Sequence, residues 1–332
     1  MRTHFLAVLA ALSVACGGSG GNANSGSGGD AITAGDSYSC AIVNGGVQCW
    51  GFSDYGQLGD NSERNSSVPV QVYGLTSGAT VVATNAGNGT VCAVVNGGVQ
   101  CWGHNEYGEL GNNSTTDSPV PVQVAGLTSG ATAIAVGDDH ACAIVSGGVQ
   151  CWGDNGLGQL GNSTDNPSLV PVHVAGLTSG VTAICAGISH TCAIVNGGVQ
   201  CWGYNGYGDL GNNSTTSSLV PIQVYGLTSG VTAIAGGGDH TCAIVSGGVQ
   251  CWGYNGFGQL GNNSTVDSSV PVQVHGLTSG ATLVSAGYYL TCAVVNGGVQ
   301  CWGYNDFGQL GNNSTTDSSV PVQVYDLTSG VP

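Results

Sequence analysis

Lysine is absent from this 332-residue chain, and arginine occurs only twice, as Arg2 and Arg64. Against these two cations stand 18 Asp and Glu, for a formal charge of -16. Nucleic acid is thereby excluded as a partner, because such binding rests on Lys and Arg neutralising phosphates. The same shortage leaves no clamp for phosphoryl chemistry. Charged residues of either sign make up 6% of the chain, whereas 41% is hydrophobic, so the chain can fill a core and is not a solvated, disordered one. Glycine numbers 60, and good helix formers are scarce, which excludes a long helical protein. What is there is a Gly-punctuated chain rich in Val, Thr and Tyr, the composition of a β protein.

The first thirty residues read as address and tether. Phe5 to Ala15 is an apolar run of eleven residues behind Arg2, too short to span a bilayer and right for a signal-peptide core. It ends in Leu12-Ser13-Val14-Ala15-Cys16, which resembles a bacterial lipoprotein cleavage box. Residues 1–15 are thus expected to leave as a lipoprotein signal peptide, with Cys16 as the lipid anchor; the alternative is an ordinary secreted protein cut near Ala15. Residues 16–30 form a Gly/Ser tether with a reach of roughly 20 Å. The expected location is a bacterial outer membrane or cell surface, or the periplasm or medium if no lipid is attached.

Tryptophan occurs at 50, 102, 152, 202, 252 and 302 and nowhere else. Each lies in one recurring phrase, Gly-Gly-Val-Gln-Cys-Trp-Gly, followed in most copies by Asn and Gly-Gln-Leu-Gly. A fixed period near 50 residues with strand-like composition marks the blades of a β-propeller. The units are residues 31–78, 79–130, 131–180, 181–230, 231–280 and 281–332. The fold expected is all-β: a six-bladed β-propeller of four-stranded antiparallel blades. In the first unit the strands fall near 31–35, 38–43, 46–51 and 68–73, with Asn44-Gly45 as a two-residue type I′ turn.

That turn pairs the cysteines. With Val43 opposite Gly46, paired positions sum to 89, so Cys40 faces Cys49 at a non-hydrogen-bonded site, where Cα atoms lie about 4.5 Å apart. The same arithmetic joins Cys92 to Cys101, Cys142 to Cys151, Cys192 to Cys201, Cys242 to Cys251 and Cys292 to Cys301. Six disulfides inside the blades fit an exported chain. Zinc would need four clustered ligands, which no pair supplies. Of the 14 cysteines this leaves Cys16 and Cys185, the latter expected to be a buried thiol.

Gly-x-x-His-Thr-Cys-Ala-Ile and Trp-Gly-x-Asn-x-x-Gly-Gln-Leu-Gly, the latter nearly intact around Trp102, Trp152, Trp202, Trp252 and Trp302, resemble the regulator of chromosome condensation repeat family. The resemblance covers residues 31–325 and implies propeller blades of about fifty residues. It also implies a role in protein recognition, since the founding member is an exchange factor for a small GTPase and a bacterial relative inhibits β-lactamases through aromatic residues on one face. Family propellers usually have seven blades, so six units imply either a closed six-bladed ring, the expectation here, or an incomplete member of the seven-bladed family.

Strand direction puts the first-to-second turn and the third-to-fourth loop of each blade on one face. That face carries the differences between copies. Two residues after each Trp stand Phe52, His104, Asp154, Tyr204, Tyr254 and Tyr304. The first turns contribute Asp138, Asp139, Asp239, Tyr288 and Tyr289. These eleven are the partner-binding candidates, because aromatic and acidic side chains on an otherwise verbatim scaffold suit protein or glycan recognition. Five residues after the Trp stand Tyr55, Tyr107, Leu157, Tyr207, Phe257 and Phe307. At least half of these aromatics are expected to pack between blades, and His140, His190 and His240 to cap turns by hydrogen bonding. No catalytic group breaks the repeat at one place, so no enzyme is expected, and no cofactor or metal site is assigned. The loop Asn112 to Asp117 has oxygen ligands but not an EF-hand spacing. The reading is an exported interaction module with a protein partner of some basic character. A carbohydrate-binding or wall-associated protein is the alternative, and exchange-factor activity rests on the family name alone. A membrane is met only through the anchor.

Overall fold

The computed structural model describes residues 31–84, 87 and 89–331. The expected signal peptide, Cys16 and the tether lie outside them. Six four-stranded antiparallel sheets follow one another along the chain, each in sequence order. In the first, β1 (Ala31–Ala34), β2 (Tyr38–Val43), β3 (Gly46–Gly51) and β4 (Ser66–Gln71) run from the propeller axis outward. The protein is a six-bladed β-propeller.

The local chemistry of a blade is visible in its turns. Asn44 and Gly45 hold φ of 53° and 77°, the pair of positive values a type I′ hairpin requires. The register is the expected one, Val43 opposite Gly46 and Cys40 opposite Cys49. All six disulfides form, with Cα atoms 4.0–4.1 Å apart. Cys185 is a buried thiol outside them. The fourth strand starts two residues earlier than the sequence suggests, at Ser66, whose hydroxyl donates to Val68 O at 2.7 Å. A register shift between Cys49 and Gly51 admits this, since Gly51 has φ 114°.

The face opposite the variable one is spent on scaffold. Gln71 Nε2 donates to Val47 O at 2.9 Å and to Leu75 O at 2.8 Å, tying the link between blades to the third strand. Gln123, Gln223, Gln273 and Gln323 repeat both contacts. This explains why the Gln recurs in five of the six copies, His173 standing in its place in the third: it satisfies the same two carbonyls each time.

Each of the first five blades packs one sheet face against the next. The core between the second and third blades joins Val94, Val99, Leu110 and Val124 to Ile134, Ala141 and Trp152. Trp102, Trp152, Trp202, Trp252 and Trp302 are fully buried, and each ring N–H donates to a carbonyl of the preceding blade: Gln57, Glu109, Gln159, Asp209 and Gln259, at 2.7–3.0 Å. A second bond stitches the same interfaces, from Asn61 N to Pro119 O, Asn113 to Leu169, Ser163 to Leu219, Asn213 to Ser269 and Asn263 to Ser319.

Between the sixth blade and the first, neither bond is formed among the described residues. Trp50 is half-buried, Phe307 is 85% exposed, and the sixth core holds residues of its own blade alone. Five interfaces are thus built alike and the seam is not. The ring does not close there by the interface used elsewhere, a difference from the closed ring expected.

Candidate functional site

The repeated motif first builds the loop that carries the variable face. Asn105 Oδ1 accepts from Leu110 N at 2.9 Å, and its Nδ2 donates to Ser114 O and Thr116 O at 3.0 and 2.9 Å. Asn155, Asn205, Asn255 and Asn305 do the same. The oxygen-rich loop near Asn112 to Asp117 therefore spends much of its polarity on itself, with Asp117 Oδ1 accepting from Asn105 N. With the loop fixed, the residue two after Trp points toward the residue five after the preceding Trp. Tyr55 meets His104 at 4.9 Å between ring centroids, Tyr207 meets Tyr254 at 5.0 Å, and Phe257 meets Tyr304 at 5.0 Å. This is the expected packing between blades.

On blades four to six these contacts merge. Tyr204, Tyr207, Tyr254, Phe257, Tyr288, Tyr289, Tyr304 and Phe307 form one connected set of rings, centroids 4.6–6.4 Å apart and mostly edge to face. Tyr289 is the hub, touching Tyr254, Phe257, Tyr288 and Tyr304. Rings at such spacing add about 0.5–1.5 kcal/mol per pair beyond area burial, which makes the patch stiff. It is also wet on one side: Tyr207, Tyr288 and Phe307 are exposed and the other five half-exposed.

Beside the patch opens an axial cavity of about 470 Å³, lined by Gly137, Gly187, Gly237 and Gly287, with Asp36, Asp138, Tyr288 and Tyr304 around it. Burial pushes the Asp138 carboxyl up to about 6, helped by the negative fields of Asp139, Asp239 and Asp36. Asp239 is also raised by burial. Asp154 accepts from Gln159 Nε2 at 2.6 Å and so orients a buried amide.

Of the eleven candidates, the structure gathers Tyr204, Tyr254, Tyr288, Tyr289 and Tyr304 into the patch, while Phe52 stands exposed on the first blade beside the seam. His104 is nearly sealed instead of facing outward, its Nδ1 3.2 Å from Glu109 Oε1. The bond to Glu109 raises the His104 pKa above its ordinary value, although burial opposes it. Asp139 of the next blade completes a trio whose ligand atoms all lie within 4.8 Å of one another. The sequence reading missed Glu109 and Asp209 because both sit seven residues after Trp, where Gln is the rule. Asp209 is fully buried under the patch, and burial pushes its carboxyl up to about 7.

The histidines differ from expectation. His140, His190 and His240 do not cap their own turns with the ring; Nε2 of each lies 2.9 Å from the hydroxyl of Thr191, Thr241 and Thr291 on the next blade. Thr191 Oγ1 in turn donates to Gln159 O at 3.0 Å, so the proton between it and His140 sits on Nε2. Complete burial lowers these pKa values to about 4, 3 and 3, which keeps the rings neutral.

Models of the regulator of chromosome condensation (RCC1) repeat match residues 44–94, 96–144, 146–194, 196–244, 246–294 and 296–330. The chain belongs to the RCC1 repeat family. Among RCC1 structures, that of Kap60 bound to yeast RCC1 (Prp20) superposes with a TM-score of 0.78 at 21% identity, over 89% of this chain and 74% of that one. Human WBSCR16 gives 0.77 at 23%, over 90% and 82%. At such identity the likeness is one of fold. The E3 ubiquitin-protein ligase HERC2 of Homo sapiens is 35% identical over 94 residues, 27% of this chain and 2% of that protein. The ultraviolet-B receptor UVR8 of Arabidopsis thaliana is 33% identical over 96 residues, 28% and 22%. The chain thus spans a minor part of these RCC1-repeat relatives. As an RCC1 propeller it is consistent with a protein-interaction module, and its disulfides fit an oxidising compartment. Among the described residues, no helix is long and apolar enough to cross a membrane.

Proposed function

We propose that this chain is an exported, lipid-anchored interaction module that binds a protein partner through the aromatic patch of blades four to six. The connected set of eight rings carries the reading: it is rigid, half-wet, and assembled from positions where the six copies differ. Tyrosine is enriched at the anchors of protein interfaces because it offers large, stiff, amphipathic area. The carboxylates of Asp36 and Asp138 lie around the mouth beside it, within the field of Asp239, and the described chain has one cation, Arg64. A partner with a basic rim therefore meets a field of opposite sign. Flat tyrosines flanked by carboxylates also suit the apolar face and hydroxyls of a sugar, which is the second reading. Among the described residues no loop sets a nucleophile beside a base, and the module is proposed to act by binding alone.

The test uses residues 31–332 as bait on cell-envelope and culture extracts, alongside a glycan array. Captured proteins are to be lost when Tyr204, Tyr254 and Tyr304 become Ala together, with far-UV spectra unchanged. Undiminished capture by the triple variant refutes the patch, and array binding with no protein captured favours the sugar.

A further inference from the structure

Where the second and third blades meet, three positions at which the copies differ come together. His104 stands where other copies have Phe, Asp or Tyr, Glu109 where they have Gln or Asp, and Asp139 where they have Ser, Gly, Asp or Tyr. Their ligand atoms come within 4.8 Å of one another although Asp139 belongs to a different blade. We propose that His104, Glu109 and Asp139 bind one divalent metal ion of the zinc type, clamping the second blade to the third.

One edge of the trio already has the spacing of a compact tetrahedral ion, and the half-exposed Asp139 carboxylate closes on it from within 4.8 Å. Bonds of 2.0–2.2 Å to imidazole nitrogen and carboxylate oxygen place neighbouring ligand atoms about 3.3 Å apart. His104 Nδ1 and Glu109 Oε1 are 3.2 Å apart before any ion is considered. One imidazole with two carboxylates is a donor set that zinc accepts. The ligands are also held. Tyr107 N donates to Glu109 Oε2 at 2.9 Å and so fixes which oxygen turns toward His104. Trp152 Nε1 donates to Glu109 O at 2.7 Å, anchoring the backbone beneath it. Such outer contacts preset a ligand's orientation and thereby raise affinity. Glu106 Oε2 lies 3.9 Å from His104 Nε2, the ring nitrogen across from Nδ1, and so stands as an outer partner of the imidazole.

The molecule contains its own controls. Between blades four and five the same three positions hold Tyr204, Asp209 and Asp239, two carboxylates without an imidazole. Between blades five and six they hold Tyr254, Gln259 and Tyr289, with no charged ligand. The stoichiometry is therefore one ion per chain. The competing account is that Glu109 and His104 are a buried ion pair and need only a proton.

Untagged protein is dialysed against zinc sulfate at fixed pH, analysed for bound metal and titrated calorimetrically with zinc. One equivalent is expected, with a rise in unfolding midpoint that grows with zinc concentration. Asp139→Asn and His104→Gln should each weaken binding about tenfold or more. Asp209→Asn, and the double variant of the exposed His173 and His275 to Ala, should bind as the parent does. Asp139 is half-exposed and outside the Glu109–His104 bond, so its variant is expected to fold even if that of His104 does not. No bound zinc overturns the site, as does one equivalent unaffected by Asp139→Asn, since the ion then sits elsewhere.

Discussion

Replacing Trp202 by alanine removes a side chain that is 0% exposed and a ring N–H bonded to Gln159 O at 2.9 Å. Large-to-small changes of this kind in a core cost about 3–5 kcal/mol. Trp202→Phe separates the terms. It keeps most of the apolar area, and Gln159 O retains its bond from Thr191 Oγ1, so about 1 kcal/mol is expected for the lost hydrogen bond. Trp50 occupies the same place in the first blade but faces the seam, half-buried and without the counterpart bond. Trp50→Ala should therefore cost about 1–2 kcal/mol, from area alone, and Trp50→Phe close to nothing. Urea unfolding of the four variants under non-reducing conditions, followed by far-UV circular dichroism, reads the four costs in one experiment. The gap between Trp202→Ala and Trp50→Ala is the decisive quantity. If the two alanine variants lose equal stability, the seam is closed in solution by the interface seen elsewhere, and the description of five built interfaces is wrong.

Three other outcomes follow from the same physics. Asp209 is expected to make stability fall as pH rises: its carboxyl is near its ordinary value when unfolded but about 7 when folded, so the favourable protonated form is fully present below about pH 4 and lost through pH 7. Asp209→Asn should flatten that slope and raise stability at pH 8 by a few kcal/mol, and an unchanged slope of denaturation midpoint against pH refutes the assignment. Reduction should add twelve protons by mass to the six disulfides, and Cys185 should react with a thiol reagent only after unfolding. Gly253→Ala should cost about 2 kcal/mol or more in thermal melts, because φ is 103° there and the added Cβ would sit 2.6 Å from Asp239 O; a change near zero would show that the bulge relaxes freely.

The sequence was most informative where one blade suffices. The Asn-Gly turn fixes the hairpin, and from it the pairing of Cys40 with Cys49 follows by counting. The start of the fourth strand was misjudged because it depends on a bulge at Gly51 and on the Ser66 hydroxyl, neither of which alters the apolar pattern. Between blades, period alone placed Tyr207 five residues after one Trp and Tyr254 two residues after the next, but not their rings 5.0 Å apart. The merging of eight rings through Tyr289 needed the propeller's curvature. Glu109 was hidden for the same reason: along the chain it is one acid in a Gln column, and only the fold brings Asp139 of another blade to it. The histidines at 140, 190 and 240 reach forward to a neighbour some fifty residues on, a distance that no local capping rule describes.

Each disulfide closes within a single hairpin, spanning nine positions, and none crosses from one blade to the next. Under tension applied at its two ends, the domain is therefore a row of separately locked beads rather than one tied bundle. Blades yield one after another, and of a fifty-residue repeat nine residues stay looped behind the sulfurs, so 50 - 9 = 41 can lengthen. At about 3.4 Å per residue each event releases roughly 140 Å. Reduction lengthens every step by roughly 30 Å, so a force trace of this protein records the redox state of each blade it opens.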